Sequence, residues 1–77
     1  MWRVNMEKTG ARIKELRIAS GYSVEELRQA MREMVGVNAV YKWQSGQSLP
    51  TVDNLVILAD LFGVTIDEMI VKEQVIF

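Results

Sequence analysis

The chain contains no cysteine, no histidine and a single proline, Pro50. Without cysteine it has neither a disulfide framework nor a thiolate metal site, so a helical core or self-association must supply its stability. Without histidine it lacks the commonest general base and the commonest transition-metal ligand, which removes most hydrolytic and metal chemistries. The expectation is a protein that is not an enzyme and uses no cofactor and no metal. Long apolar runs are missing too. None approaches the roughly 20 residues of a membrane span, and the opening "MWRVNMEKTG" lacks the apolar centre of a signal peptide. A cytoplasmic protein with no membrane partner is therefore expected.

What is present is globular in character. Of 77 residues, 49% are hydrophobic and 25% charged, too apolar for disorder and sufficient for one small domain. The net charge of −1 conceals a polarity along the chain. Residues 1–42 carry eight Lys and Arg against five Asp and Glu, whereas residues 43–77 carry one against five. Such a chain can present a basic face to an anion despite its acidic pI of about 5.3, although the strongly basic signature of many nucleic-acid binders is absent.

Helical spacing and stop signals predict five short helices. Ile13, Leu16 and Ile18 mark one side of a first helix over about 9–20, ended by Gly21. "SVEE" forms a capping box from Ser23 to Glu26, and Leu27, Ala30, Met31 and Met34 carry the second helix over about 24–34. After Gly36, Val40 and Trp43 lie three apart in a third helix over about 37–45, closed by Gly46. Thr51 caps a fourth, with Leu55, Leu58, Ala59 and Phe62 on one face and Gly63 at its end. A second capping box, "TIDE", opens a fifth helix through Met69, Ile70 and Val71. No strand pair, repeat or linker is evident. The fold class is all-α, divided into an N-terminal extension 1–8, a domain 9–71 with its helix-turn-helix at about 24–45, and a C-terminal tail 72–77.

Two long stretches, "TGARIKELRIASGYSVEELRQAM" and "NAVYKWQSGQSLPTVDNLVILADLFGVTIDEMI", resemble the Cro and phage-repressor type of helix-turn-helix domain from about Thr9 to Val71. "AVYKWQSG" and "LFGVTIDEM" are nearly unaltered from the family pattern, and the joint spacing is specific where each piece is weak. The resemblance implies a compact, lambda-repressor-like five-helix bundle. It further implies a sequence-specific DNA-binding transcriptional regulator, a repressor, acting on double-stranded DNA as a homodimer and without a small-molecule substrate.

In that family the second helix of the pair lies in the major groove while its inner face anchors it. Val40 and Trp43 match the anchor, and Val37, Asn38, Tyr41 and Lys42 the outward positions. Asn38 is the first choice for base readout, since an Asn amide matches the N6 and N7 edge of adenine; alternatively it caps the third helix after Gly36. Val37 stands where many relatives carry Gln, and can pack on a thymine methyl. Lys42 and Tyr41 suit phosphates, or else form a solvated helix face. Ser23, at the start of the second helix, matches a phosphate-binding position. Gln44, Ser45 and Gln47 are neutral donors near the helix exit.

Three departures from the pattern bear on the site. Val24 replaces a frequent Gln, and the segment "MREMVG" makes the turn about two residues longer than usual. Gln44 replaces a Glu that pairs with an arginine of the first helix, here Arg17, which leaves Arg17 freer to meet a phosphate. The alternative function is a helix-turn-helix fold used for protein binding, as an antitoxin-like module. The apolar ends, Met1 and Trp2 with Val75, Ile76 and Phe77, are candidates for a dimer contact or for docking back on the bundle.

Overall fold

Asn5, not Thr9, starts the first helix: its side-chain oxygen accepts the Lys8 N–H at 2.8 Å. In the computed structural model, which describes residues 1–76, the elements are β1 (Trp2–Val4), α1 (Met6–Ala19), α2 (Val24–Ala30), α3 (Val37–Ser45), α4 (Val52–Phe62), α5 (Ile66–Met69) and β2 (Lys72–Gln74). The fold is all-α, as expected. Thr9 lies inside α1, fully buried, where its hydroxyl accepts the Val71 N–H at 3.0 Å and donates to the Val71 carbonyl. That side chain replaces part of the hydrogen bonding lost where the chain leaves α5, and it ties the last helix to the first.

The chain ends form the one strand pair among the described residues, which corrects the expectation of none. β1 and β2 run antiparallel with Arg3 opposite Glu73, and the two side chains form an exposed ion pair at 3.4 Å. Met1, Trp2 and Ile76 remain largely exposed and so do not dock on the bundle, while Val75 is half-buried. Phe77 lies outside the described residues.

The core comprises Ile13, Val24, Leu27, Met31, Val40, Trp43, Leu58, Ala59 and Met69, so every helix contributes to a single cluster. Leu55 and Phe62 border it from α4. Ile18 does not: at 59% exposure it points away, because it sits about 140° around the helix from Ile13. The second helix also ends four residues earlier than its apolar spacing suggests, and Met34 is 70% exposed. Its stop is a Schellman-type exit, in which Arg32 N–H donates to the Gln29 carbonyl and Glu33 N–H to the Arg28 carbonyl. Arg32 and Glu33 both take left-handed backbone angles, φ 57° and 58°, and the extra turn residues are spent on this reversal. The fifth helix stops at Met69 rather than Val71, since Ile70 is already extended.

Candidate nucleic-acid interface

α3 is positioned by its neighbours at one end and left open at the other. Val40 and Trp43 are buried at 0% and 4% exposure, fixing which face turns inward. α1 crosses the C-terminal half of α3 so closely that a Cβ on Gly10 would fall on the Trp43 carbonyl oxygen and 2.8 Å from that of Gln44. Gly46, at φ 79°, then reverses the chain: its N–H donates to the Trp43 carbonyl and the Gln47 N–H to that of Lys42. A side chain there is excluded twice, by the left-handed backbone and by the α-carbon of Glu7, which a Cβ would approach to 2.9 Å.

At the N-terminal end Gly36 is the N-cap, and no side chain caps the helix. Asn38 is therefore not the cap. It lies one residue inside α3 and is exposed. The Val37 and Asn38 N–H groups at the start of α3 have no side-chain acceptor, whereas the Ala39 N–H donates to the Gly36 carbonyl at 3.1 Å. Tyr41 is 54% exposed, and Lys42 is exposed on the same outer surface. Val37 is half-buried against the core, so it contributes more to anchoring than to an outward surface.

Arg17 is not free. Its Nε donates to Gln44 Oε1 at 2.8 Å and its Nη1 to the Tyr22 carbonyl at 2.7 Å. The neutral Gln44 thus keeps the brace between α1 and α3 that a Glu would make. Since its oxygen is occupied, its NH2 group is left as a donor. Lys14, Arg17, Val24, Tyr41, Gln44 and Ser45 line an open depression of about 380 Å³, with no carboxylate among them. Val24 belongs to the buried core and supplies its floor. The Ser45 hydroxyl donates to the Lys42 carbonyl at 3.2 Å, and exposed Gln47 follows on the exit loop.

The two acids at the start of α2 are diverted from this surface. Glu26 closes the capping box: Ser23 Oγ accepts the Glu26 N–H, and the Glu26 carboxylate accepts the Ser23 N–H, each at 3.0 Å. That backbone hydrogen bond from Ser23 holds the Glu26 carboxyl below its ordinary range. Ser23 is accordingly occupied by capping, and only the following amides of α2 remain. Glu25 is held low chiefly by its hydrogen bond from Arg28, which also reaches Glu33 at 3.8 Å. Sequence reasoning missed Arg28 as the residue that neutralises these acids, although its i, i+3 spacing from Glu25 was a readable signal. It missed Lys14 and Gly10 as well.

This geometry has known counterparts. The helix-turn-helix family model matches residues 13–69, well over half of the chain, and the chain belongs to that family, the Cro and phage-repressor type. Over 65 residues it is 31% identical to the HTH-type transcriptional activator BcrR of Enterococcus faecalis, a match covering 84% of this chain and 31% of BcrR. The chain thus spans about a third of that relative's length. Among solved structures it is similar to the DNA-binding domain of BldD, with a TM-score of 0.74 at 24% identity over 86% of this chain and 93% of that domain. The S. venezulae BldD DNA-binding domain gives the same score and identity and is covered to 96%. No helix of the described residues is long and apolar enough to cross a membrane.

Proposed function

We propose that this chain is a DNA-binding transcriptional regulator that sets the outer face of α3 into the major groove of double-stranded DNA. The observation that carries this reading is the carboxylate-free depression of Lys14, Arg17, Tyr41, Gln44 and Ser45 along the C-terminal half of α3, a helix whose other end carries no side-chain cap. A phosphate there meets cations and neutral donors only, while Asn38 stands forward for a base edge. Lys42 and Gln47 extend the backbone contacts along the exit of α3, and Val37 meets at most a thymine methyl at the rim. Family membership and the names of its similar proteins support the same ligand. A homodimer on a two-fold site would set two such helices about 34 Å apart. The working location is the cytoplasm, where that DNA is reached, and repression is the expected sign where the site overlaps a promoter.

The test is selection from a random DNA pool, followed by titration of the winner across salt concentrations. A two-fold enriched motif with steep salt dependence is the expected result; no enrichment overturns the reading. On the selected site, Asn38→Ala should cost roughly 1–3 kcal/mol of specific binding and leave random DNA nearly unaffected. Lys42→Ala should weaken all sequences and flatten the salt slope by about one unit.

A second reading, a protein-binding module, draws on α4, where Val52 and Val56 are 74% and 53% exposed next to Leu49. These form a small apolar strip with Asp53 and Asp60 on the same exposed side. Retained partner capture by a Val52→Ser, Val56→Ser double variant would remove that strip from consideration.

A further inference from the structure

We infer that the outer edge of β1 is the pairing surface for β1 of a second copy of this chain, the two ribbons joining into one four-stranded sheet. The inference deepens the homodimer in the proposed function, but its geometry is independent of DNA.

Hydrogen-bond parity identifies the edge. Val75 N–H donates to the Met1 carbonyl and Asn5 N–H to the Val71 carbonyl, both at 2.8 Å, with Arg3 opposite Glu73 between them. Met1, Arg3 and Asn5 therefore turn their backbone groups toward β2. Trp2 and Val4 form the alternate pairs, with Gln74 and Lys72, and turn their N–H and C=O groups outward. The two outer edges are not equivalent. β2 shows Lys72 and Gln74, and a lysine on an edge discourages strand addition. β1 shows an exposed Trp2 and a half-buried Val4; its one charge, Arg3, is already paired across the ribbon with Glu73. Its short length and the Glu73-paired Arg3 are all that limit strand addition there.

The same parity selects the occupant. An antiparallel strand that uses both Trp2 and Val4 must, if it is another β1, set Trp2 opposite Val4 of the second copy and Val4 opposite its Trp2. That register is self-complementary, with its two-fold axis beside Arg3. It makes two aromatic and β-branched cross-strand contacts on one face. On the other face the two Arg3 side chains face each other, each held by its own Glu73. Pairing β1 with β2 of another copy would instead be head-to-tail and open-ended. The ribbon also lies outside residues 13–69, so this surface is an addition to the part shared with the family. Strands of three residues bury little, so association should be weak in free solution and strong on DNA carrying two half-sites.

The test uses the full chain. Val4→Pro removes only an outward N–H, which a strand edge tolerates, and Val4→Thr keeps it. Without DNA, sedimentation and Val4 amide exchange are followed up to about 1 mM, the effective-concentration range of tethered modules. The expected result is movement toward a two-chain mass with rising Val4 protection in the wild type and in Val4→Thr. Val4→Pro should stay a single chain with unchanged helical circular dichroism. It should bind one selected half-site as the wild type does, and lose about tenfold or more on paired half-sites. Should Val4→Pro perturb the helices, Trp2→Pro, of the same parity, takes its place. A wild type that stays single-chain with a freely exchanging Val4 amide overturns the inference, as does a proline variant that associates unchanged. Half-site binding without self-association sinks this inference alone, whereas self-association without any DNA binding sinks the DNA reading alone.

Discussion

The two ends of α3 are built to opposite rules. At the C-terminal end a glycine turn, the close α1 backbone and the Arg17–Gln44 hydrogen bond hold the helix in place. At the N-terminal end a glycine without a side chain leaves the first amides open, and the approach to it runs through two strained residues, Arg32 and Glu33. One end fixes the pitch of the helix, and the other leaves two backbone donors without a side-chain acceptor. The recognition role proposed for α3 needs both, because donors can be aimed only if the opposite end cannot move.

The largest expected effect breaks the fixed end. Gly10→Ala places a methyl group against the Trp43 and Gln44 carbonyl oxygens, which belong to backbone and cannot rotate away. The helices must separate, at a cost of about 3 kcal/mol in urea unfolding. A loss below about 1 kcal/mol would mean that α1 does not set the position of α3.

The open end is tested next, with two readouts of opposite sign. Gly36 has nothing within 4 Å of a Cβ and has an extended backbone at φ −85°, so Gly36→Asp should supply the missing cap. Folding should become more stable by a few tenths of a kcal/mol. Affinity for the selected DNA should fall by about tenfold or more, since a carboxylate then occupies the amides and repels a phosphate. If stability and affinity rose together, the open amides would not be part of the interface.

Where the sequence was legible, a local signal stood at the element it described. Gly21, Gly46 and Gly63 mark helix exits, and the "SVEE" and "TIDE" boxes mark helix starts, because capping is decided within four residues. Asn38 and Tyr41 could be set outward once Val40 and Trp43 were set inward, and the three-residue offset carries that information. The end of α2 was not legible: Arg32 occupies a position where the exits of α1, α3 and α4 have glycine, and Met34 continues the apolar spacing beyond the real stop. The ribbon was hidden for a different reason. Its strands are three residues long and pair residue 2 with residue 74, so neither has a period of its own. Gly10 looks like any helical residue until the carbonyls of α3 are brought against it. The Arg17–Gln44 contact was half-visible: the pair was readable, but not that the amide oxygen would still accept the Arg17 hydrogen bond.

The strained approach to the open end predicts a smaller effect. Arg32 holds φ 57° at the position where the other long helices exit through glycine, and its side chain is exposed. Arg32→Gly should therefore stabilise the fold by about 1 kcal/mol, read as a rise in Tm. If the same variant also lowers affinity for all DNA, Arg32 belongs to the phosphate-facing surface and the strain has been retained for that contact. A loss of stability would show that Arg32 and Glu33 are not strained where they stand.

The smallest effect sharpens the comparison by turning to α2, whose N-terminus is capped where that of α3 is not. The Ser23 backbone N–H depresses the folded-state pKa of Glu26, so the unfolded chain binds this proton more readily than the folded one. The contribution to stability is present above the ordinary carboxylate range and is lost as pH falls through the depressed folded value. Glu26→Gln keeps a side-chain oxygen for the Ser23 N–H but has no proton to bind. Its stability should consequently fall less steeply than that of the wild type in the acid range, the small difference between them being greatest at neutral pH and closing in acid. Gly36→Gln, placed in the same acid titration, should reproduce the wild-type slope, since no carboxylate caps α3. Equal acid slopes for Glu26→Gln and the wild type would mean that the cap of α2 is held by Ser23 alone, and that the two helix starts differ by one hydroxyl rather than by a charge.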